Sequence, residues 1–231
     1  MSSAIKDFQS TLSTLRKKGN KENAKWEWNY MKTKYTCYGV KAKDTVNAVK
    51  DFHKNHKDIS KKELQNILDI CWTSDSHTEK IFAIKLLGFN KDYLYLFSKK
   101  DLNYFKGWLR LSDGWCHTDF ICGYIIAPLL LKDKAISKDI DKWITDKHLW
   151  VRRSTLIAYI PTIRKTNKFL PNIFTNCKKL AEEKDFFIRK AIGWVLRETS
   201  KKYPKEVIKF VKDNEKILSN LSKREALRVI K

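Results

Sequence analysis

The chain has 231 residues, 42% of them hydrophobic, and a formal net charge of +22. Only seven glycines and four prolines are present, and dipeptides typical of β-hairpin turns are nearly absent, which argues against sheets and favours an all-α fold. The excess of positive charge indicates a polyanionic partner, either nucleic acid or an acidic membrane surface, although so many lysines are also typical of an AT-rich genome.

The first predicted elements are helical hairpins. Apolar residues at positions 5, 8, 12 and 15 fall at helical spacing, and a polar break at 19–21 separates them from a second helix through Trp26, Trp28 and Tyr30. Residues 44–52 are typical of a further helix. Ser60 and Glu63 have the spacing of a capping box, which predicts that a helix begins there.

An aromatic residue recurs along the rest of the chain at a nearly constant interval, opening a helix each time. Taking Trp72, Trp115, Trp150 and Phe187 as equivalents gives separations of 43, 35 and 37 residues. This is close to the roughly 40 to 47 residues of HEAT-type helix pairs, so we predict one HEAT-like solenoid over 1–231 with a concave basic DNA-binding groove. The same aromatics could instead be core residues between helix layers, the interpretation that we favour for Trp72.

The longest apolar stretch and the cysteines exclude several other classes of protein. Residues 120–131 are too few to span a bilayer and predict a buried helix, and we expect no membrane partner and no signal peptide. The five cysteines are odd in number and scattered, without metal-ligand spacing, which argues against a disulfide framework and a zinc site. We therefore expect a monomeric, cytoplasmic protein without metal or other cofactor.

One constellation of residues carries candidate chemistry. Trp115 and Asp119 are four residues apart and lie on one face of a helix. If the second helices of the repeats share a surface, Arg152 or Arg153, and Trp194 with Arg197, converge on this pair. Arginine suits phosphates, whereas indole rings offer flat faces to a base or a cationic lesion.

The same residues also allow purely structural roles. Asp119 could be a solvated or helix-pairing carboxylate, Arg153 could form an interhelical salt bridge, and the two tryptophans could pack between repeats. Asp113 is expected to cap the start of a helix, and His117 to be a surface or packing residue, because it points to another helix face. A solvated role is favoured for Arg152.

Several segments resemble the AlkD-like family of alkylpurine DNA glycosylases, which are HEAT-like repeat proteins. The resemblance covers most of the chain and rests on residues 30–32, 38–40, 115–119 and 149–153, and most specifically on the long run 186–198, FFIRKAIGWVLRE.

The resemblance implies a role for each matching residue. Asp119 corresponds to the catalytic carboxylate, Trp115 and Trp194 flank the lesion-bearing nucleotide, and Arg153 matches a cleft arginine. Two further matches complete the set: Arg197, where the family has a backbone-contacting arginine, and Tyr30, an aromatic near the DNA backbone.

The implied activity is excision of N3- and N7-alkylated purines, such as 3-methyladenine and 7-methylguanine, from duplex DNA without a base-flipping pocket, in the base excision repair of a bacterial cell. An alkylated purine is a cationic leaving group, so a single carboxylate that stabilises the developing sugar cation suffices. Two alternatives stay open: a non-catalytic HEAT-repeat protein that binds branched or distorted DNA, and a protein-interaction scaffold.

Overall fold

The computed structural model describes residues 2–230. Within this range the regular structure is helical, and the β pairing consists of an isolated bridge between Thr36 and Ser76. The prediction of an all-α protein is therefore confirmed. The chain divides between Asp101 and Leu102 into two compact units, each described here by itself.

Residues 2–101 of the first unit contain six α-helices, four of which begin at a residue whose side chain caps the helix. Ser60 accepts a hydrogen bond from the Glu63 amide, as the capping box predicts. The helices, followed by a 3₁₀ turn at Lys99–Asp101, are α1 Ser3–Lys17, α2 Lys21–Met31, α3 Ala42–Asn55, α4 Lys61–Thr73, α5 His77–Phe89 and α6 Lys91–Leu94.

The core of the first unit gathers around α5, whose residues are almost all buried. Phe8 of α1 packs against Phe52 and Phe82 with ring centroids 6.1 and 5.8 Å apart. Trp72 is 2% exposed, which confirms its core position, but it lies near the end of α4. The prediction that it opens a helix is wrong, because Ser76 caps the next helix by accepting from the Glu79 amide.

Helix α2 differs from its neighbours because none of its residues is buried. Trp26, Trp28 and Tyr30 are all more than half exposed, and the rings of Trp26 and Tyr30 stack 5.1 Å apart.

The second unit contains ten α-helices and two further turns. Its elements, in chain order, are α7 Leu102–Leu111, α8 Trp115–Ile121, a π turn at Cys122–Ile126, α9 Ala127–Lys132, α10 Ile136–Lys142, a 3₁₀ turn at Trp143–Thr145, α11 Leu149–Ile157, α12 Ile160–Ile163, α13 Leu170–Lys179, α14 Phe186–Ser200, α15 Pro204–Asp213 and α16 Asn220–Leu227.

Three helices of this unit begin at or next to the recurring aromatics. Trp115 is the first residue of α8, and Trp150 and Phe187 are the second residues of α11 and α14. Helix α11 packs against both α8 and α14. The rings of Trp150 and Phe187 lie 5.0 Å apart, so these two aromatics serve as packing between neighbouring helices.

The apolar run 120–131 is helical and largely buried, as the sequence predicts, but it is not one continuous α-helix. A π turn interrupts it, in which the Ala127 amide donates to the Cys122 carbonyl five residues earlier. Such turns insert one extra residue into a helix. The turn begins directly after α8, so it separates the helix that carries Trp115 and Asp119 from the buried helix α9.

Helix α14 packs most closely against α16, and a glycine allows this approach. A Cβ atom built on Gly193 would lie 2.5 Å from the Cβ of Glu225, so no larger residue fits without displacing a helix. The close approach brings Glu225 of α16 beside the cationic residues of α14 that are described below.

Candidate functional site

The candidate site is built around an ion pair between α8 and α11. Arg153 donates from Nε to Asp119 Oδ1 and from Nη2 to Asp119 Oδ2, each over 3.0 Å. The side chains of Arg153 and Asp119 are only 5% and 10% exposed. In this bidentate geometry the guanidinium donates two hydrogen bonds and the carboxylate accepts both, which fixes the relative orientation of the two groups as well as their distance.

A third helix anchors the pair. Arg153 Nη1 donates to the main-chain carbonyl of Phe187 over 2.5 Å, at the start of α14. The guanidinium therefore joins α8, α11 and α14 at one point, and the Asp119 carboxylate cannot rotate without breaking bonds that hold three helices.

Burial and the arginine act on the Asp119 carboxyl in opposite directions. Burial, the larger effect, raises the pKa of Asp119, whereas the charge and hydrogen bonds of Arg153 lower it, and the resulting pKa is above its ordinary value. Both oxygens accept hydrogen bonds from the Arg153 guanidinium, an arrangement that favours the ionised form of the carboxyl. Asp119 is thus a poorly solvated carboxylate with lone pairs left for a second cation.

An open cleft of about 340 Å³ lies next to this pair. Four residues that the sequence analysis singled out line it: Trp115, Arg153, Trp194 and Arg197. Asp119 does not line the cleft itself and reaches it through Arg153. The structure therefore brings five of the six predicted site residues together within the second unit.

The cleft is also lined by residues that the sequence analysis did not assign to the site: Phe186, Phe187, Lys190, Glu225 and Arg228. The Glu225 carboxylate accepts from Lys190 Nζ over 3.0 Å and from Arg197 Nη1, and Arg228 lies 3.9 Å away. Lys190 in particular holds the pKa of Glu225 below its usual range. The Glu225 carboxylate thus lies among three cationic side chains along one wall of the cleft.

The sixth predicted residue, Tyr30, belongs to the first unit. It lies exposed on α2 with its ring against Trp26. Its contact with the DNA backbone stays a prediction.

Arg152, the neighbour of Arg153, has a structural role. Its guanidinium forms two hydrogen bonds with Glu183, of 2.6 and 3.2 Å, and its side chain is largely buried. The expectation of a solvated side chain is wrong, because Glu183 supplies a partner 31 positions away that no local pattern reveals.

His117 and Asp113 lie together. His117 is 1% exposed, with Nδ1 3.2 Å from Asp113 Oδ1, so its packing role is confirmed. The expectation that Asp113 caps α8 is wrong, since Gly114 is the N-cap residue and no side chain caps that helix.

Several features bear on cofactors and membranes. In the described part of the chain, His, Cys, Asp and Glu side chains do not gather in groups of three that could hold a metal ion. All five cysteines are free thiols, and Cys116 and Cys122 are buried. Among residues 2–230, no helix combines the length and apolar character that crossing a bilayer requires.

Comparison with known proteins gives a match over nearly the whole chain. The sequence model of a family described as DNA alkylation repair enzyme matches residues 11–230. No curated protein matches the sequence significantly.

The chain shares its fold with several solved structures of bacterial proteins. The chain is similar to a predicted DNA alkylation repair enzyme from Enterococcus faecalis, with 23% identity, a TM-score of 0.82, and coverage of 92% of this chain and 97% of that chain. AlkD2 from Streptococcus mutans is 22% identical, with a TM-score of 0.62 and coverage of 81% and 89% respectively.

A more distant structure is the Pseudomonas fluorescens alkylpurine DNA glycosylase AlkC, bound to DNA containing an abasic site analog. It is 14% identical, with a TM-score of 0.52 over 97% of this chain and 60% of that chain. These likenesses show that the fold is the helical-repeat fold of such proteins.

Proposed function

The chain belongs to the family of DNA alkylation repair enzymes, and on that premise we propose that it hydrolyses the N-glycosidic bond of N3- and N7-alkylated purines in duplex DNA. The product is an abasic site, and the reaction opens base excision repair. One observation carries the proposal: the buried Asp119 carboxylate, held on both oxygens by Arg153, lies beside a cleft flanked by Trp115 and Trp194.

The chemistry follows from the charge on the lesion. Alkylation at N7 or N3 makes the purine a cationic leaving group, so the glycosidic bond breaks with cationic character on the deoxyribose and needs no strong acid. A carboxylate that is already oriented and poorly solvated stabilises that developing charge at no cost of reorganisation. Asp119 fits this role, and its remaining lone pairs can also orient the attacking water.

The other cleft residues have roles in binding. Trp115 and Trp194 offer ring faces to the lesion-bearing nucleotide, and a cation over an indole is stabilised by about 0.5 to 2 kcal/mol. Arg153 and Arg197 hold the DNA backbone. A lesion recognised by its charge needs no enclosing pocket, and we therefore propose that bulky cationic adducts are accepted and neutral lesions are poor substrates.

The same ion pair supports a second candidate function. Because both Asp119 oxygens accept from Arg153, the carboxylate could serve only to orient Arg153 in a protein that binds branched or distorted DNA without cleaving a glycosidic bond. The two candidates differ in whether Asp119 acts on the sugar.

The test is release of 7-methylguanine from a methylated duplex by the wild type and by Asp119→Asn. We expect release by the wild type and a loss of about 10²-fold or more in the single-turnover rate of the variant, with duplex binding retained. Asp213→Asn is the matched control, since it removes an exposed carboxylate paired with Lys209 on α15, and we expect it to retain full activity.

Removal of one partner from a buried pair also costs stability, so melting curves must show that Asp119→Asn is folded at the assay temperature. Asp119→Glu provides a second variant, which keeps the charge but moves it by one methylene, and we expect it to lose most activity. A folded, DNA-binding wild type that releases neither 7-methylguanine nor 3-methyladenine would favour the non-catalytic candidate.

A further inference from the structure

A second cleft in the second unit, of about 650 Å³, is lined mainly by basic residues. None of the residues discussed as the candidate site lines it. Lys106 and Arg110 contribute from α7, and Lys142, Asp146, Lys147 and His148 contribute from α10 and the segment that leads into α11. The lining therefore includes four basic side chains and one carboxylate, while Lys142 also pairs with Asp139 outside the lining, and we name this region the Asp146 cleft.

Asp146 organises the cations of this cleft. Its side chain is 7% exposed, and it accepts from Lys106 Nζ and Arg110 Nη2, each over 2.8 Å, and from the His148 amide over 3.0 Å. Burial alone would raise the pKa of Asp146, but these donors hold it below its usual range. A single negative charge shared by two cations leaves the cleft positive.

The main chain of Asp146 and Lys147 is held by hydrogen bonds from Arg152. Arg152 Nη1 donates to the main-chain carbonyls of Asp146 and Lys147 over 2.9 and 3.0 Å, while the rest of its guanidinium binds Glu183. Lys106 and Arg110, which bind Asp146, therefore have a fixed partner before any ligand arrives, which lowers the entropic cost of binding.

The start of α11 adds a further positive contribution. His148 is the N-cap residue, and no side chain caps the helix there, whereas Asp185 caps α14 by accepting from two amides. The amino end of a helix carries a partial positive charge and favours an anion such as phosphate. Together with the exposed side chain of Lys147, it completes a surface of donors that matches phosphate oxygens.

We propose that the Asp146 cleft binds a phosphate of the DNA backbone, an inference that rests on the proposed function. Helix α11 connects the two sites, since His148 precedes it and Arg153 lies in its second turn. Five residues of helix span about 7.5 Å, and phosphates of one strand follow each other every ~3.4 Å along the axis. One DNA strand can therefore contact both sites.

The experiment measures binding of an unmodified duplex as a function of salt concentration. Each neutralised phosphate contributes a slope of about 0.9 in log affinity against log salt. We expect the double variant Arg110→Gln, Lys147→Gln to lower the slope by about one. Lys178→Gln, an exposed lysine on α13 outside both clefts, is the matched control and is expected to leave the slope unchanged. Equal slopes for the wild type and the double variant would overturn the proposal.

A second measurement distinguishes a DNA phosphate from a free phosphate compound as the ligand of the Asp146 cleft. Calorimetric titration with inorganic phosphate at constant ionic strength is expected to give no saturable binding. Saturation that the double variant abolishes, together with an unchanged slope for DNA, would assign the cleft to a free phosphate compound and overturn the proposal.

Release of 7-methylguanine distinguishes failure of this inference from failure of the proposed function. The Lys178→Gln control is expected to release the base at the wild-type rate, because Lys178 lies outside both clefts. If the wild type releases the base and the salt slope of the double variant is unchanged, phosphate binding at the Asp146 cleft is refuted and the proposed function is kept. If the wild type releases no base but the double variant still has a lower salt slope, the glycosylase activity is refuted and the phosphate site is kept.

Discussion

Replacement of Gly193 by alanine tests how closely the candidate site depends on the approach of α16 to α14. The added methyl group would lie 2.5 Å from the Cβ of Glu225 and 3.2 Å from the Ser222 carbonyl oxygen, whereas ordinary contacts begin at 3.4 Å. Helix α16 would have to retreat by about 1 Å, because a Cβ atom cannot move independently of its helix. Overpacking of this kind costs about 1 to 3 kcal/mol.

Helix propensity acts in the opposite direction. Alanine favours a helix over glycine by about 1 kcal/mol. Since the clash involves a Cβ atom and a main-chain oxygen, we place its cost at the upper end of the range, so the variant is expected to lose about 1 to 2 kcal/mol of unfolding free energy. For a chain of this size, this loss corresponds to a melting temperature lower by roughly 2 to 8 °C.

Urea denaturation followed by circular dichroism measures this change, and Gly107→Ala supplies the matched control. Gly107 also lies inside a helix, α7, but a Cβ atom there would have no neighbour within 4 Å, so the control is expected to gain about 0.5 to 1 kcal/mol. If Gly193→Ala is stabilised as much as the control, the argument from close packing is refuted.

Two further predictions concern the walls of the cleft. Trp194→Ala is expected to lower the single-turnover release of 7-methylguanine by about 2- to 30-fold, the equivalent of a cation–π contribution of about 0.5 to 2 kcal/mol, and a variant with the wild-type rate would contradict contact between the indole and the cationic base. Glu225→Gln tests the contribution of the charge cluster to stability as a function of pH. Lys190 and its neighbours lower the pKa of Glu225 in the folded protein. The ionised Glu225 therefore stabilises the folded protein above about pH 4.3, the ordinary pKa of Glu, and this stabilisation is lost as the pH falls through the lowered native pKa. The difference in urea midpoint between wild type and Glu225→Gln should therefore be present at about pH 6 and decrease as the pH falls below about 4.3, and a difference independent of pH would exclude an electrostatic origin.

The fold and the principal residues of the candidate site could be predicted because their signals are local. Helical spacing and capping residues mark α1 and α4, and the long run 186–198 carries Trp194 and Arg197 by resemblance to a known family. The period of 35 and 37 residues places Trp115, Trp150 and Phe187 near the starts of α8, α11 and α14, where they are found.

What the sequence did not reveal depends on partners far apart along the chain. Glu225 joins the cleft because Gly193 lets α16 approach α14, and the two residues are 32 positions apart. Asp146 and Arg110, which are 36 positions apart, belong to a second cleft for the same reason. A single sequence has no signal for such pairings, since any lysine or arginine among so many could serve.

Local patterns also failed where two of them competed. Asp113 is a good N-cap residue, but Gly114 takes the cap position with extended backbone at φ −162° and ψ 173°. Trp72 fits the aromatic interval, yet the Ser76 cap decides where α5 begins. In both cases the residue that directly precedes the helix, Gly114 for α8 and Ser76 for α5, determined where the helix begins.

The π turn at Cys122–Ile126 separates the rotational phase of α8 from that of α9. In an uninterrupted α-helix each residue advances by about 100°, so the buried side of α9 would dictate the direction of every side chain in α8. The additional residue shifts this phase by a fixed amount. With the buried side of α9 in place, Trp115 and Asp119 therefore point in other directions than an uninterrupted helix would give them, and Asp119 meets Arg153 of the neighbouring helix.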